Sequence, residues 1–435
     1  MSTNKHLPTF NMKVVVQETG LKPDTLRAWE RRYGMPNPER TAGGHRLYSQ
    51  HEIDVLNWLV ARQGEGMSIS HAVELWRQME KDGGALLLPT NTPTAELSAP
   101  RVEGDQVDDL RKAWIEACLN FDEYQSQHLL AHAFAVFPLE TVCFKILQQG
   151  LTEIGEGWYE GKVTVQQEHF ASALAQRQLE ALLAALPTGT RNGRILVACP
   201  PTEMHIFAPL MISLLLRRQG WDVVYLGANV PLDRMEVSVN QIKPLLVVLA
   251  AQTLTAAAHL LQMAQALQKM NLPLAFGGIV FNHIPQIIDV IPGYFLGSTL
   301  ELAPLHIEKL MKNMPPTLQV KETPKAYHVA YQHFMMQRLT IEAQLHNLPE
   351  LAAMPMAMLN NISNEFGNNV EAGLQFGDLD TVHFNLDWVA GLLENHAWLS
   401  GVSLREYLLA YYKVARSVLD ARAAPLLHWL AQFKN

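Results

Sequence analysis

Residues 193–210 read GRILVACPPTEMHIFAPL. Residues 193–199 form a continuous apolar run, the pattern of a strand buried on both faces of a parallel sheet. A loop carrying Glu203 and His205 follows, and a helix then runs to about Gln219. Four more short strands are expected at WDVVYLG (221–227), LLVVLAAQ (245–252), LPLAFGG (272–278) and GYFLG (293–297), separated by helical stretches. This alternation predicts a doubly wound α/β domain over residues 192–320. Ligands of such sheets dock beyond the carboxyl ends of the strands, where the strand order reverses. The His205 loop lies there if strand 193–199 is central. Taken alone, Glu-x-His fits two readings. His205 is either a structural histidine satisfied locally, or a neutral imidazole offered to a transition metal such as cobalt, with the nearby carboxylate fixing its tautomer.

The chain has 435 residues, enough for several domains. Its 48% apolar and 17% charged residues suit a globular protein, and a net charge of −8 confines any nucleic-acid contact to a local patch. Cys118, Cys143 and Cys199 are widely spaced, which suggests neither a disulfide framework nor a structural zinc site and fits a reducing compartment. The opening MSTNKHLPTF has no apolar leader segment, and no run approaches the ~18 apolar residues of a membrane helix. A cytoplasmic protein with no membrane contact is expected.

Residues 8–80 supply the local basic patch. MKVVVQETGLKPDTLRAWERRYG (12–34) reads as helix, tight turn, helix, with Gly20 in the turn and Pro23 where a first helical turn tolerates it. The second helix carries Arg27, Arg31 and Arg32, spaced so that Arg27 and Arg31 share a face suited to phosphates and base edges; Tyr33, which shares a face with Trp29, is a further candidate DNA contact. In PERTAGGHRLYS (38–49), Gly43 and Gly44 permit a hairpin from which Arg40, His45, Arg46 and Tyr48 would reach the DNA backbone. Over residues 13–48 seven basic and four acidic residues give a net +3. A further helix is expected from about Gln50 to Arg62.

Residues 83–105 are rich in Gly, Pro, Thr and Ser and read as a flexible linker. Residues 106–188 have helical periodicity enough for a four-helix bundle, punctuated by Pro138 and by GEGWYEGK (155–162). Trp158 falls in that Gly-flanked turn, and Glu168–His169 on the helix after it. Either feature alone suits ordinary packing or surface roles.

LRAWERRYG followed by P-x-R-x-x-G-G-x-R-x-Y resembles the winged-helix domain of MerR-type transcription regulators across about 70 residues. Trp158, nine residues, then Glu168–His169 resembles the cobalamin-capping bundle of light-responsive MerR-type repressors of the CarH and LitR kind. Glu203-x-His205 resembles their Asp-x-His-x-x-Gly cobalamin motif, with QTLT (252–255) and Gly277–Gly278 at suitable distances for the nucleotide tail. The resemblance implies a DNA-binding regulator, not an enzyme, that binds a palindromic operator as a homo-oligomer, dimer or tetramer. It implies a bound cobalamin, adenosylcobalamin foremost, with light as the signal. His205 would be the lower axial ligand to cobalt, Trp158 the cover of the upper face, Glu168 and His169 the pocket wall, and Thr253 the hydroxyl near the tail, with Gln252 and Thr255 competing for that role.

Several positions depart from the family pattern. Ala208 and Pro209 replace the motif's final glycine and its follower. Tyr159 stands where the best-known light-switching members have a histidine, and a phenol stays protonated near neutral pH. No sustained heptad repeat from 65 to 105 supplies the long dimerising coiled coil usual in MerR-type proteins. Three outcomes remain open, in this order: cobalamin binding with altered photochemistry, cobalamin sensing without light, or a pocket given to another tetrapyrrole such as a bilin. Cys199 beside the loop bears on bilin attachment only as a buried strand-end cysteine. A corrinoid carrier module of an enzyme system shares the bundle and α/β pair, but it leaves the winged helix unexplained.

The resemblance ends near residue 320. Residues 325–435 are mostly helical by periodicity and are expected to form an all-α bundle of their own, with Ser403 and Glu406 as a capping box. Its histidines show no compact metal spacing, and Tyr411, Tyr412, Trp388, Trp398 and Trp429 read as core. An oligomerisation or second sensory module is the expectation.

Overall fold

The computed structural model describes residues 8–40, 46–64, 69–81, 104–315, 320–386 and 403–434. The chain forms two compact units, one of residues 1–113 with 131–138 and one of residues 114–130 with 139–435.

In the first unit, strand β1 (Pro8–Asn11) leads into helix α1 (Met12–Thr19), which Asn11 caps through its side chain. Gly20, in the left-handed region at φ 68°, ends α1 and allows the turn into α2 (Pro23–Tyr33). Strands β2 (Glu39–Arg40) and β3 (Arg46–Ser49) pair antiparallel, Arg40 opposite Arg46, and β3 also pairs with β1. Helices α3 (Gln50–Gly64) and α4 (Ile69–Lys81) complete this domain around Val15, Leu26, Trp29, Tyr48, Leu56 and Trp76. Gly43, Gly44 and His45, at the expected hairpin tip, lie outside the described residues, as do residues 82–103, most of the expected linker. That linker ends earlier than expected, because helix α5 already begins at Gly104.

The bundle helices are α5 (Gly104–Leu119), α6 (Glu123–Val136), α7 (139–159) and α8 (Val165–Ala185). Helix α7 widens to a π-helical stretch over Val142–Gln148, and Trp158 lies in its last turn, not in a loop after it. The sequence suggests a break because of Gly155 and Gly157. Gly157 instead serves close packing: a Cβ there would stand 2.7 Å from Val163 Cγ2.

The sheet of the α/β domain is parallel, with strands β4 (Arg194–Ala198), β5 (Asp222–Tyr225), β6 (Leu246–Ala250), β7 (Leu274–Gly277) and β8 (Tyr294–Phe295). Their order is β5-β4-β6-β7-β8. Strand β4 is therefore interior, and the order reverses between it and β6. Side chains alternate between two cores. Ile195, Val197 and Val248 pack with α9 (Phe207–Arg218) and, beyond the last strand, α13 (Ala303–Lys312). Leu196, Ala198, Val247, Leu249 and Phe276 pack on the other face with α10 (Met235–Ile242), α11 (Leu254–Lys269) and α12 (Ile279–His283).

This second core continues through α11 into the C-terminal helices α14 (Lys325–Leu345), α15 (Met356–Phe376), α16 (Leu404–Val418) and α17 (Ala424–Leu430). The expectation of a separate bundle is thus corrected. Leu254, Ala256, Ala257, Ala258, Leu260, Leu261, Met263, Ala264 and Leu267 are all buried, so α11 is apolar nearly all round and needs cover on both sides. The sheet covers one side and α15 the other, with Gln262 Nε2 donating to Gln375 Oε1 at 2.8 Å. Helix α15 runs without a break to Phe376, where Gly377 in the left-handed region ends it. Ser403 and Glu406 form the expected capping box, and Tyr411 and Trp429 are core, whereas Trp388 and Trp398 lie outside the described residues.

A shared core predicts shared unfolding. Phe334→Ala on α14, at a fully buried position, should cost about 3–5 kcal/mol and lower a single transition common to the α/β domain and the C-terminal helices. Urea titration followed by tryptophan fluorescence and circular dichroism checks this; two separate transitions would show independent domains.

Candidate functional site

Four loops meet beyond the carboxyl ends of the strands, and Glu203 joins the first of them to the third. Its carboxylate is 1% exposed. One oxygen, Oε1, accepts the His205 backbone N–H at 2.9 Å and lies 2.7 Å from His205 Nδ1. The other, Oε2, accepts the Gln252 N–H at 2.6 Å. The carboxylate thus spans the crevice between β4 and β6. Gln252 Oε1 in turn accepts the Ile279 N–H at 3.2 Å, tying in the loop after β7. From the loop after β5, Asn229 accepts the Thr202 N–H through Oδ1 and donates its own N–H to the Glu203 carbonyl, both at 2.9 Å. Thr202 and Asn229 both sit at positive φ, 67° and 51°. Such conformations cost energy for residues with a Cβ and persist where surrounding bonds hold them.

This arrangement settles how His205 is held. Its side chain is 66% exposed although its carboxylate partner is buried. With Nδ1 turned to Glu203, Nε2 is directed away from that bond. The bond to Glu203 pushes the His205 pKa above the usual imidazole range, against the opposing effect of burial, and the Glu168 carboxylate adds a smaller push. Helices α8 and α9 lie against each other, and Arg217 near the end of α9 donates to Leu183 O near the end of α8. The two helices run side by side in the same sense, so their beginnings, with Glu168–His169 and His205, share one end.

The other expected residues are placed as follows. Glu168 Oε2 lies 2.7 Å from His169 Nδ1, and its Oε1 accepts from Ser172 at 2.6 Å. Trp158 and Tyr159 are half-buried at the end of α7. Thr253 is the N-cap of α11, its hydroxyl accepting from the Ala256 N–H, so that oxygen is committed to the helix. Thr255 Oγ1, by contrast, is buried without a hydrogen-bond partner. Gly278, at φ 131°, is forced by its neighbours: a Cβ would fall 1.8 Å from Ala251 O. Gly277 is open, with nothing closer to a Cβ than Leu296 Cβ at 3.9 Å. Ala208 and Pro209 lie in the first turn of α9, where proline costs no hydrogen bond. Cys199 is buried, and burial raises its thiol pKa to about 12, so it is no nucleophile.

These residues fit a corrinoid. Among the described residues no three His, Cys, Asp or Glu converge on a point that would hold a bare metal ion. A lone, carboxylate-oriented imidazole suits a metal that arrives inside its own macrocycle and needs one axial donor. The exposed Met204 and Ile279 flank the loops as apolar contact surface, and the orphaned Thr255 Oγ1 awaits a polar partner. Asn229 is the member of this network that the sequence reading does not name, whereas Gln252 and Thr255 stand beside Thr253 as candidates there. The signal for Asn229 was present: asparagine after a strand-ending glycine is a residue that tolerates the left-handed region.

In the winged domain, Arg27, Arg31, Arg32 and Arg40 are exposed. Arg46 is spent on Glu30, with bonds of 2.8 and 3.3 Å, and Arg40 lies 3.8 Å from the same carboxylate. The Tyr33 hydroxyl pairs with Ser70 at 3.2 Å. Tyr48 corrects an expectation: it is wholly buried, its hydroxyl 3.5 Å from Met12 Sδ, and cannot touch DNA. Alternation along β3 turns Tyr48 into the core. Among the described residues no helix is long and apolar enough to cross a membrane.

The two glycines give contrasting predictions. Gly278→Ala should destabilise the α/β domain by roughly 2–4 kcal/mol through backbone overlap and strain, whereas Gly277→Ala should cost under about 1 kcal/mol. Thermal unfolding of the two variants side by side measures both.

Residues 10–79 match the MerR HTH family regulatory protein family, and residues 110–183 and 193–293 each match a B12 binding domain family. The HTH-type transcriptional repressor CarH of Myxococcus xanthus is 30% identical over 274 residues, covering 62% of this chain and 89% of that protein. CarA of the same organism, also an HTH-type transcriptional repressor, is 31% identical over 252 residues, covering 56% of this chain and 76% of that protein. Among solved structures, the monomethylamine corrinoid protein of Methanosarcina barkeri aligns over 47% of this chain and 99% of its own, at 18% identity and a TM-score of 0.40. With an HTH module of the MerR type joined to two cobalamin-binding modules, and with this extent of likeness to CarH and CarA, the chain belongs to their family of cobalamin-binding transcriptional regulators.

Proposed function

We propose that this regulator holds adenosylcobalamin, that light releases it from the DNA-binding state, and that the ligand acts by assembling winged domains on a palindromic operator. The observation that carries this reading is the buried Glu203 carboxylate gripping His205 Nδ1. A hydrogen bond from Nδ1–H to the carboxylate leaves the Nε2 lone pair free for a metal. His205 would hold cobalt from below, Trp158 would cover the upper ligand, and Glu168 with His169 would line that side of the pocket. Thr255, Gly277 and the loop held by Gly278 would accommodate the nucleotide tail. When bound, the corrinoid supplies a carbon–cobalt bond that visible light can break.

The protein's own part is to exclude water and fix orientation. Trp158, at the end of α7, is a bulky ring suited to shelter an organic group from solvent. Glu168 bridges His169 and Ser172, so the pocket wall is braced before any ligand enters. A ligand that fits one arrangement of bundle and α/β domain better than another shifts their equilibrium. Two winged domains brought onto one operator then gain affinity by multivalency. Tyr159 would offer a phenol, not an imidazole, to a bound corrinoid. Arg27, Arg31 and Arg32 would meet the major groove, with Arg40 on the adjoining backbone.

The test is an absorption spectrum of the protein with adenosylcobalamin, before and after green light. A bound spectrum that changes on illumination is expected, and His205→Ala should alter the dark spectrum; an unchanged spectrum in that variant removes axial ligation. On the DNA side, Arg31→Ala should weaken binding and flatten its dependence on salt by about one phosphate contact. Tyr48→Phe should leave the affinity unchanged.

A further inference from the structure

The face of α16 that points away from the core carries Leu409, Tyr412, Lys413, Arg416 and Ser417, at helical spacing. With Lys434 from the chain's last turn they line a surface cavity of about 410 Å³. The depression is wide open to solvent. Three of the six lining residues are cations and none is acidic. Lys413 has a carboxylate partner, Glu350, at 2.7 Å. Arg416 and Lys434 form no ion pair with a carboxylate among the described residues. Lys434 Nζ stands 4.7 Å from the centre of the Tyr412 ring. The Tyr412 phenol is pulled below its usual pKa, first by its bond to Lys434 and further by the charge of Arg416. In a chain of net charge −8, two cations without a carboxylate partner among the described residues share this lining with the Tyr412 ring.

We propose that this cavity binds a phosphate-bearing small molecule, its phosphate clamped between Arg416 and Lys434 and its remaining body lying on Leu409 and the Tyr412 ring. Charge decides the class. A carboxylate would neutralise one cation and leave the other unmatched, whereas a phosphate monoester carries close to two negative charges and offers several acceptor oxygens. The guanidinium presents a planar fork and the ammonium a mobile point charge, a pairing suited to tetrahedral oxyanions. A polynucleotide fits less well, because it needs a stripe of cations. Glu350 beside Lys413 and Glu406 toward the start of α16 break any such stripe. Neither the DNA-reading module nor the corrinoid pocket uses these residues.

Calorimetry of the full chain with inorganic pyrophosphate as the probe, at low ionic strength, tests the site. One saturable event is expected, weakened about tenfold or more by Arg416→Gln and by Lys434→Gln, with unfolding midpoints unchanged because both side chains are exposed. A second readout is the phenol titration of Tyr412, isolated by subtracting the Tyr412→Phe variant: pyrophosphate should move it upward. Absence of saturable binding, equal binding by the double variant, or a Tyr412 titration indifferent to pyrophosphate would overturn the proposal. So would displacement by sodium chloride at matched ionic strength, or stronger competition by random-sequence duplex DNA at matched phosphate, since either removes the small-molecule specificity.

Discussion

A carboxylate withdrawn from water must be repaid in hydrogen bonds, and Glu203 is the point where the α/β domain meets that demand. Three N–H groups from two loops converge on it, two from His205 and one from Gln252. Removing any of them would strand a buried charge, an outcome costing several kcal/mol. The crevice between β4 and β6 therefore cannot widen without breaking its own electrostatics. The family's shorter aspartate is replaced here by glutamate, and the extra methylene lets the side chain fold back so that one oxygen serves His205 while the other crosses to Gln252. The imidazole inherits its orientation from this buried anchor. That is why a largely exposed side chain can be well aimed.

Much of this was legible in the amino-acid sequence, for identifiable reasons. The five strands announce themselves because a parallel strand buried on both faces leaves an unbroken apolar run, and each appears within a residue or two of its expected place. His205 could be singled out because a polar pair interrupts such a run at a strand's end. Other features were hidden because they depend on partners remote in sequence. Thr253 looked like a ligand hydroxyl, yet a threonine just before a helix is also an N-cap, and only the geometry shows that the cap claims its oxygen. Tyr48 sits in a basic string that suggests DNA, while its strand parity sends it inward. Trp158 follows Gly155 and Gly157, which sequence reads as a turn; the structure keeps both inside a helix and uses Gly157 for close packing. The joining of the C-terminal helices to the α/β domain was written in α11, whose apolar residues surround it, but a window scored for one apolar face does not ask what covers the second.

The winged domain shows how one acidic residue organises several basic ones. Glu30 lies on the recognition helix among Arg27, Arg31 and Arg32, where a carboxylate would weaken attraction to DNA if it faced outward. Instead it is turned toward the strands and takes Arg46 through two bonds, with Arg40 nearby. Its charge is thus spent on fixing the base of the wing against α2. Arg31 and Arg32 remain exposed. The local excess of positive charge is therefore divided by position, some of it structural and some of it free for phosphates, in a way that counting charges along the sequence does not reveal.

Helix α11 gives the cofactor crevice a mechanical link to the C-terminal helices. It begins at the Thr253 cap, immediately after the Gln252 N–H that Glu203 holds, and its 16 residues make a rod of about 24 Å. Its two faces are buried in one continuous core, against the sheet and against α15, and Gln262 is bonded to Gln375 across the second contact. Close-packed interiors do not deform gradually; they shift as rigid pieces between discrete arrangements. A ligand that pulled His205 and Glu203 even slightly would act on the Gln252 N–H and hence on the start of this rod. The rod cannot move without either carrying α15 along or opening a cavity between them, and a cavity of even a few methyl groups costs several kcal/mol. The cheaper response is for the C-terminal helices to follow the crevice, which makes them part of whatever equilibrium the corrinoid shifts.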